Sequence, residues 1–162
     1  MAQIIAVVGK SRSGKTTLIE KMIPELKKRG YRIGSVNHAH HAFEVDKKGK
    51  DSFRHRAAGA DVVVVASPEE IAMVKRVRTD TLDNLEIYFA DMDLVLVEGY
   101  KRTRQPKIEV FDQRSHKEPL GLNKEELVAF VTDDAVEVDV PLYRTDQIGD
   151  LCDLVERRYL KI

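Results

Sequence analysis

The chain has 162 residues, of which 43% are hydrophobic and 33% charged, a composition that fits one soluble globular domain with a substantial core. Lys+Arg and Asp+Glu each number 27, so the net charge is zero and no global field draws the molecule to nucleic acid. The lone cysteine, Cys152, cannot close an internal disulfide, which predicts a cytoplasmic setting; no apolar run is long enough to span a membrane.

In chain order, Ile4–Val8 reads as a short buried strand. It runs into Gly9-Lys10-Ser11-Arg12-Ser13-Gly14-Lys15-Thr16, which fits the phosphate-loop spacing G-x-x-x-x-G-K-[ST]. The glycines let the backbone curl so that its N–H groups face phosphate oxygens. The following helix, Thr17 to Arg29, adds its positive end. The expected nucleotide-binding residues are therefore Gly9 through Thr17, with Lys15 on the outer phosphates and the Thr16 hydroxyl on Mg²⁺. Leu18, Ile19, Met22, Ile23 and Leu26 make the apolar stripe of that helix, Pro24 lies inside it, and Gly30 stops it.

Tyr31–Asn37 predicts a second strand, parallel to the first. The polar stretch from His38 to Asp51 is too long for a simple connector. Its histidines, His38, His40 and His41, with Glu44 and Asp46 behind them, leave two readings open: metal ligands of loose spacing, or the polar lining of a cleft. Asp46-Lys47-Lys48-Gly49-Lys50-Asp51-Ser52 likewise reads as a solvated charged loop or as a second ligand loop. In the second case Asp46 is a metal or water ligand and Lys50 an anion contact.

Ser52–Ala58 predicts a short helix. The four valines from Val62 to Val65 predict a buried strand, joined by a hairpin to Ile71–Val77. A helix is expected over Thr81–Phe89, capped by Asp80 or Thr81. Leu94–Val97 is a second strongly apolar strand and ends in Glu98. An acid at that end of a buried strand faces the ligand crevice, where it can hold Mg²⁺ or orient water. Lys107–Phe111 alternates apolar and polar residues as a half-exposed strand would. Lys124–Glu126 predicts a helical turn, Leu127–Val131 and Pro141–Tyr143 predict strands, and Gln147–Leu160 predicts a final helix capped by Thr145 or Asp146. The whole implies a single α/β domain over residues 1–162. Its sheet is mostly parallel and of the P-loop NTPase type, with helices on both faces and antiparallel edge strands supplied by Ile71–Val77 and Lys107–Phe111.

Four stretches taken together resemble the molybdopterin-guanine dinucleotide biosynthesis protein B (MobB) family. They are Gly9–Thr16; His38-Ala39-His40-His41 with Val45–Ser52; Ala57-Ala58-Gly59-Ala60; and Leu94-Val95-Leu96-Val97-Glu98-Gly99-Tyr100-Lys101. The resemblance spans roughly residues 3 to 110, and its most specific part is the histidine-to-GKDS block. It implies a homodimeric protein that binds GTP and Mg²⁺ and hydrolyses GTP weakly at most. It also implies a helper role toward a MobA-type guanylyltransferase that joins GMP to molybdopterin. Gly14, Lys15 and Thr16 would then hold phosphate and Mg²⁺, Asp46–Ser52 would be a second nucleotide-side loop, and Glu98 the acid of the third motif. Thr16, Asp46 and Glu98 are the implied metal ligands, with Glu98 and Asp46 in any catalytic role.

Two departures stand out. Asn37-His38 replaces the Lys-His usual in the family, and Lys101, Arg102 and Arg104 are offered as compensating charge. The guanine-reading N-K-x-D motif is absent. Thr132-Asp133 ends a strand where a base-reading loop could lie, with Asp133 accepting from guanine N1 and N2, or it is a plain turn. Two further functions compete. A small-molecule kinase would need an arginine-bearing lid that the sequence does not display. A nickel-delivering GTPase using the histidine cluster lacks a cysteine-bearing metal motif.

Overall fold

The computed structural model describes residues 2–39, 45–78 and 81–161. The chain forms two compact units, one of residues 1–38 with 86–162 and one of residues 39–85.

The larger unit is built on a six-stranded sheet. Its strands are β1 (Gln3–Val8), β2 (Ile33–Asn37), β5 (Leu94–Glu98), β6 (Lys107–Val110), β7 (Leu127–Val131) and β8 (Leu142–Tyr143). Their order is β2-β5-β1-β6-β7-β8, and every pairing is parallel. The chain leaves β1 with neighbours on both sides reached by later crossovers, so the carboxyl end of β1 is the switch point at which such sheets bind ligands. The apolar runs of β1 and β5 are buried because these strands lie inside the sheet, with Ile5, Val7, Leu94 and Leu96 fully enclosed.

Helix α1 (Lys15–Lys28) lays Leu18, Ile19, Met22 and Leu26 into this core and continues through Pro24. It ends in a Schellman turn: Gly30 has φ 95°, Gly30 N–H donates to Lys27 O at 2.9 Å and Tyr31 N–H to Leu26 O at 3.3 Å. Helix α3 (Ile148–Val155) buries Leu151, Cys152, Leu154 and Val155 in the same core. Arg29 ties the two helices together through Glu25, Asp153 and Glu156.

The smaller unit holds α2 (Asp51–Ala57) and the antiparallel hairpin of β3 (Val62–Ala66) and β4 (Ile71–Lys75).

Four expectations need correction. Lys107–Val110 is neither antiparallel nor at an edge; it pairs in parallel with β1 and β7, and its polar residues Lys107 and Glu109 are buried. The β3–β4 pair is a separate two-stranded sheet, and its valines are largely exposed, Val62 at 44%, Val64 at 54% and Val65 at 52%. The segment after Thr81 is two short 3₁₀ turns, Leu82–Asn84 and Glu86–Phe89, rather than one α-helix. Gln147, rather than Thr145 or Asp146, precedes the first turn of α3, whose far end widens into a π-type turn over Glu156–Leu160. The Asp80 cap lies outside the described residues.

Candidate functional site

The phosphate loop leaves β1 after Val8 and enters α1 at Lys15, as its spacing requires. Gly9 sits at φ 154°, and a Cβ there would lie 2.4 Å from Val110 O and 2.5 Å from Ser13 Oγ. Gly14 caps α1 with φ 98°, and its carbonyl accepts the first helical bond, from Leu18 N–H at 2.9 Å. Arg12 is left-handed with φ 63°, a conformation costly for a residue with a Cβ. Alternation of this kind turns consecutive N–H groups into an anion-binding nest. Lys15 folds over the loop, its Nζ donating to Lys10 O at 3.0 Å.

Parallel pairing sets Val7 opposite Glu98, so the acid at the end of β5 lies beside the root of the loop. There the Thr16 hydroxyl meets both Glu98 carboxylate oxygens, at 3.0 and 2.9 Å. Gly99, at φ 97°, turns the chain immediately afterwards, and its N–H donates to Val7 O at 3.0 Å. His38, which follows β2, stacks on Tyr100 with ring centroids 4.2 Å apart.

A cleft of about 360 Å³ opens beside the loop. Ser13, Gly14 and Thr17 line it together with Asp112, Arg114, Asp133 and Thr145. Asp133 accepts from Thr145 N–H at 3.0 Å and from Thr145 Oγ1 at 2.6 Å, and these bonds hold its carboxyl below the ordinary range. Arg114 does the same for Asp112.

These residues fit a nucleotide. Ser13 Oγ is buried with no hydrogen-bond partner in the protein, and a buried hydroxyl in a phosphate loop calls for an acceptor such as a phosphate oxygen. The space above Gly9 admits no side chain. The hard-oxygen set of Thr16 and Glu98 suits Mg²⁺.

The structure thus brings together Gly9–Thr17, Glu98 and Asp133 within the larger unit. Asp46 and Lys50 belong to the smaller one. There Ser52 Oγ donates to Asp46 Oδ1 at 3.0 Å, and both Asp46 and Lys50 line an open cleft floored by Val63–Ala66. His40, His41 and Glu44 lie outside the described residues, and among the described residues no group of three His, Cys, Asp or Glu side chains could hold a metal. Sequence reasoning missed Thr145, Asp112 and Arg114 in the cleft, since none belongs to a motif. The one available signal was the position of Asp112 and Asp133 just after apolar strands.

A parallel sheet with a phosphate loop at its switch point and an acid paired to the loop threonine defines an α/β protein of the P-loop NTPase type. A family model described as molybdopterin guanine dinucleotide synthesis protein B matches residues 4–133, and the chain belongs to this MobB family. The molybdopterin-guanine dinucleotide biosynthesis adapter protein of Haemophilus influenzae is 40% identical over 156 residues, covering 94% of this chain and 87% of that one. The adapter protein of Escherichia coli is 35% identical over 163 residues, covering 96% and 92%. The crystal structure of Bacillus subtilis MobB superposes with a TM-score of 0.79 at 29% identity, covering 97% of this chain and 98% of that one.

Proposed function

We propose that this protein is a GTP- and Mg²⁺-binding adapter in the formation of molybdopterin guanine dinucleotide. The observation that carries the reading is the Thr16–Glu98 pair at the foot of the phosphate loop, in a chain whose relatives are named as adapters of that pathway. Loop N–H groups and Lys15 take the phosphates, and Ser13 Oγ gains the acceptor it lacks. Thr16 and Glu98 hold Mg²⁺, which supplies positive charge to the outer phosphates. The cleft beside the loop takes the base. Asp133 faces it with a carboxylate whose orientation Thr145 fixes, and a carboxylate favours guanine N1–H and N2–H over adenine. Asp46 and Lys50 act as a second ligand loop.

Hydrolysis is slow in this reading. Among the described residues of the larger unit, Glu98 is the acid beside the loop threonine, and it is engaged by that hydroxyl. The protein serves a MobA-type guanylyltransferase and its molybdopterin substrate in the cytoplasm rather than turning over GTP itself. It does so as a homodimer, a state supported by the exposed Val62, Val64, Val65, Ile71 and Met73 of the hairpin, an apolar surface that a second copy would cover. The test is reconstitution. Purified guanylyltransferase, molybdopterin and MgGTP should yield more guanine dinucleotide with this protein than without it, and the Lys15→Ala variant should give no such gain. Equal yields with and without the native protein would refute the adapter role.

A further inference from the structure

We infer that the segment Asp112–Leu120 is a strap that holds the phosphate loop in its anion-binding shape, with His116 as the positioning residue. The inference rests on the loop being a nucleotide site, but it concerns residues that no phosphate-loop motif contains.

The strap is itself tightly fixed. Gln113 N–H donates to Asp134 Oδ2 at 2.7 Å, and Asp112 O accepts from Ser115 N–H at 3.0 Å and His116 N–H at 3.1 Å. At its far end Leu120 N–H donates to the buried carboxylate of Glu109 at 2.6 Å. From this frame two side chains reach the phosphate loop. His116 Nε2 lies 2.6 Å from Ser11 O, and Ser115 Oγ donates to Arg12 O at 3.2 Å. A carbonyl only accepts, so His116 carries its proton on Nε2.

The consequence follows from peptide planarity. The Ser11 carbonyl and the Arg12 N–H are opposite ends of one rigid trans plane, and the same holds for the Arg12 carbonyl and the Ser13 N–H. Fixing the two carbonyls sets both planes: it keeps the Ser13 N–H on Lys10 O, at 3.3 Å, and fixes the direction of the Arg12 N–H. Arg12, at φ 63°, is the residue whose backbone would relax if released. With Lys15 Nζ on Lys10 O, three successive loop carbonyls are tethered. The strap also contributes Asp112 and Arg114 to the cleft, so one segment shapes both the phosphate nest and the space beside it.

Hydrogen exchange of the nucleotide-free protein is the direct test, with His116→Ala, His116→Gln and Ser115→Ala compared with the native chain. The Ser13 amide, held on Lys10 O at 3.3 Å, should exchange faster in His116→Ala and, less so, in Ser115→Ala. His116→Gln, whose amide N–H can reach the same carbonyl, should restore slow exchange. GTP and GDP affinities should fall together in His116→Ala, by about fivefold to tenfold for one lost hydrogen bond, and recover in His116→Gln. Native exchange in His116→Ala, or a His116→Gln variant as fast as His116→Ala, would overturn the strap. Exchange is read without nucleotide, so failure of the native protein to bind GTP would count against the nucleotide reading and not against the strap.

Discussion

Thr16 and Glu98 stand 82 residues apart in the chain, yet the Thr16 hydroxyl lies within 3.0 Å of both oxygens of the Glu98 carboxylate. Parallel pairing of β1 with β5 imposes this meeting, because the register that sets Val7 opposite Glu98 also sets where the loop begins. If the pair is the Mg²⁺ site, Glu98→Gln should leave GTP affinity in chelator nearly unchanged and abolish most of the gain that Mg²⁺ brings. Any slow turnover should also fall. Titrations with and without Mg²⁺ read this directly, and an undiminished Mg²⁺ effect would remove Glu98 from the site.

Gly9 is constrained by space. A Cβ there meets a backbone carbonyl at 2.4 Å, which cannot swing away as a side chain can. Gly9→Ala should therefore distort the loop and weaken GTP binding by at least about tenfold, as strained overpacking does. Gly149, in α3, has open space around its Cβ position. Gly149→Ala should leave binding alone and stabilise the fold by about 0.5–1 kcal/mol. A pair of variants that behaved alike would contradict the steric explanation.

Lys107 is fully buried at the start of β6 and donates to Thr103 O, Gln105 O and Glu126 Oε2. It thereby pins the chain that returns from Glu98 into the sheet. Lys107→Met strips two carbonyls and a carboxylate of their donor and should cost about 3 kcal/mol, the low end for breaking a buried pair. Glu126→Gln should cost less, because its amide oxygen can still accept from Lys107 Nζ and the two carbonyl bonds remain, so only the counter-charge is lost. Urea denaturation measures both.

Glu109 is buried, and burial pushes its carboxyl pKa upward despite the Leu120 N–H bond and the Lys10 charge. A raised folded pKa means that the folded state holds the proton more tightly than the unfolded chain. The stability this contributes is full below the ordinary carboxyl range and is lost as pH rises through the folded pKa. Glu109→Gln, which can still accept from Leu120 N–H, should thus be more stable than the native protein near about pH 7, with the advantage shrinking toward about pH 4. A constant difference across that range would show that the carboxylate is not destabilised by burial.

The parts legible in the sequence were those where one local pattern meets one structural demand. The Ile4–Val8 strand, the glycine-lysine loop, the stripe on α1 and the Gly30 stop all formed where expected. The misreadings came where tertiary partners overrode local pattern. Lys107 and Glu109 made β6 look half-exposed, but an ammonium with three acceptors and a carboxyl held by Leu120 N–H can both be buried. The valines of β3 looked like core, but strand propensity does not reveal which surface covers a strand, and in the two-stranded sheet most of them face outward. The strap residues Ser115 and His116 lie more than 100 positions from the carbonyls they bind, so no spacing could reveal them.

The most direct measurement is calorimetric titration of the protein with GTP, ATP and GDP, each with and without Mg²⁺. A GTP preference that Mg²⁺ strengthens, and that Lys15→Ala reduces by at least about tenfold through loss of a charge-assisted contact, is the expected result. ATP binding as tight as GTP, or GTP binding indifferent to both Mg²⁺ and Lys15, would contradict a guanine nucleotide held by the phosphate loop.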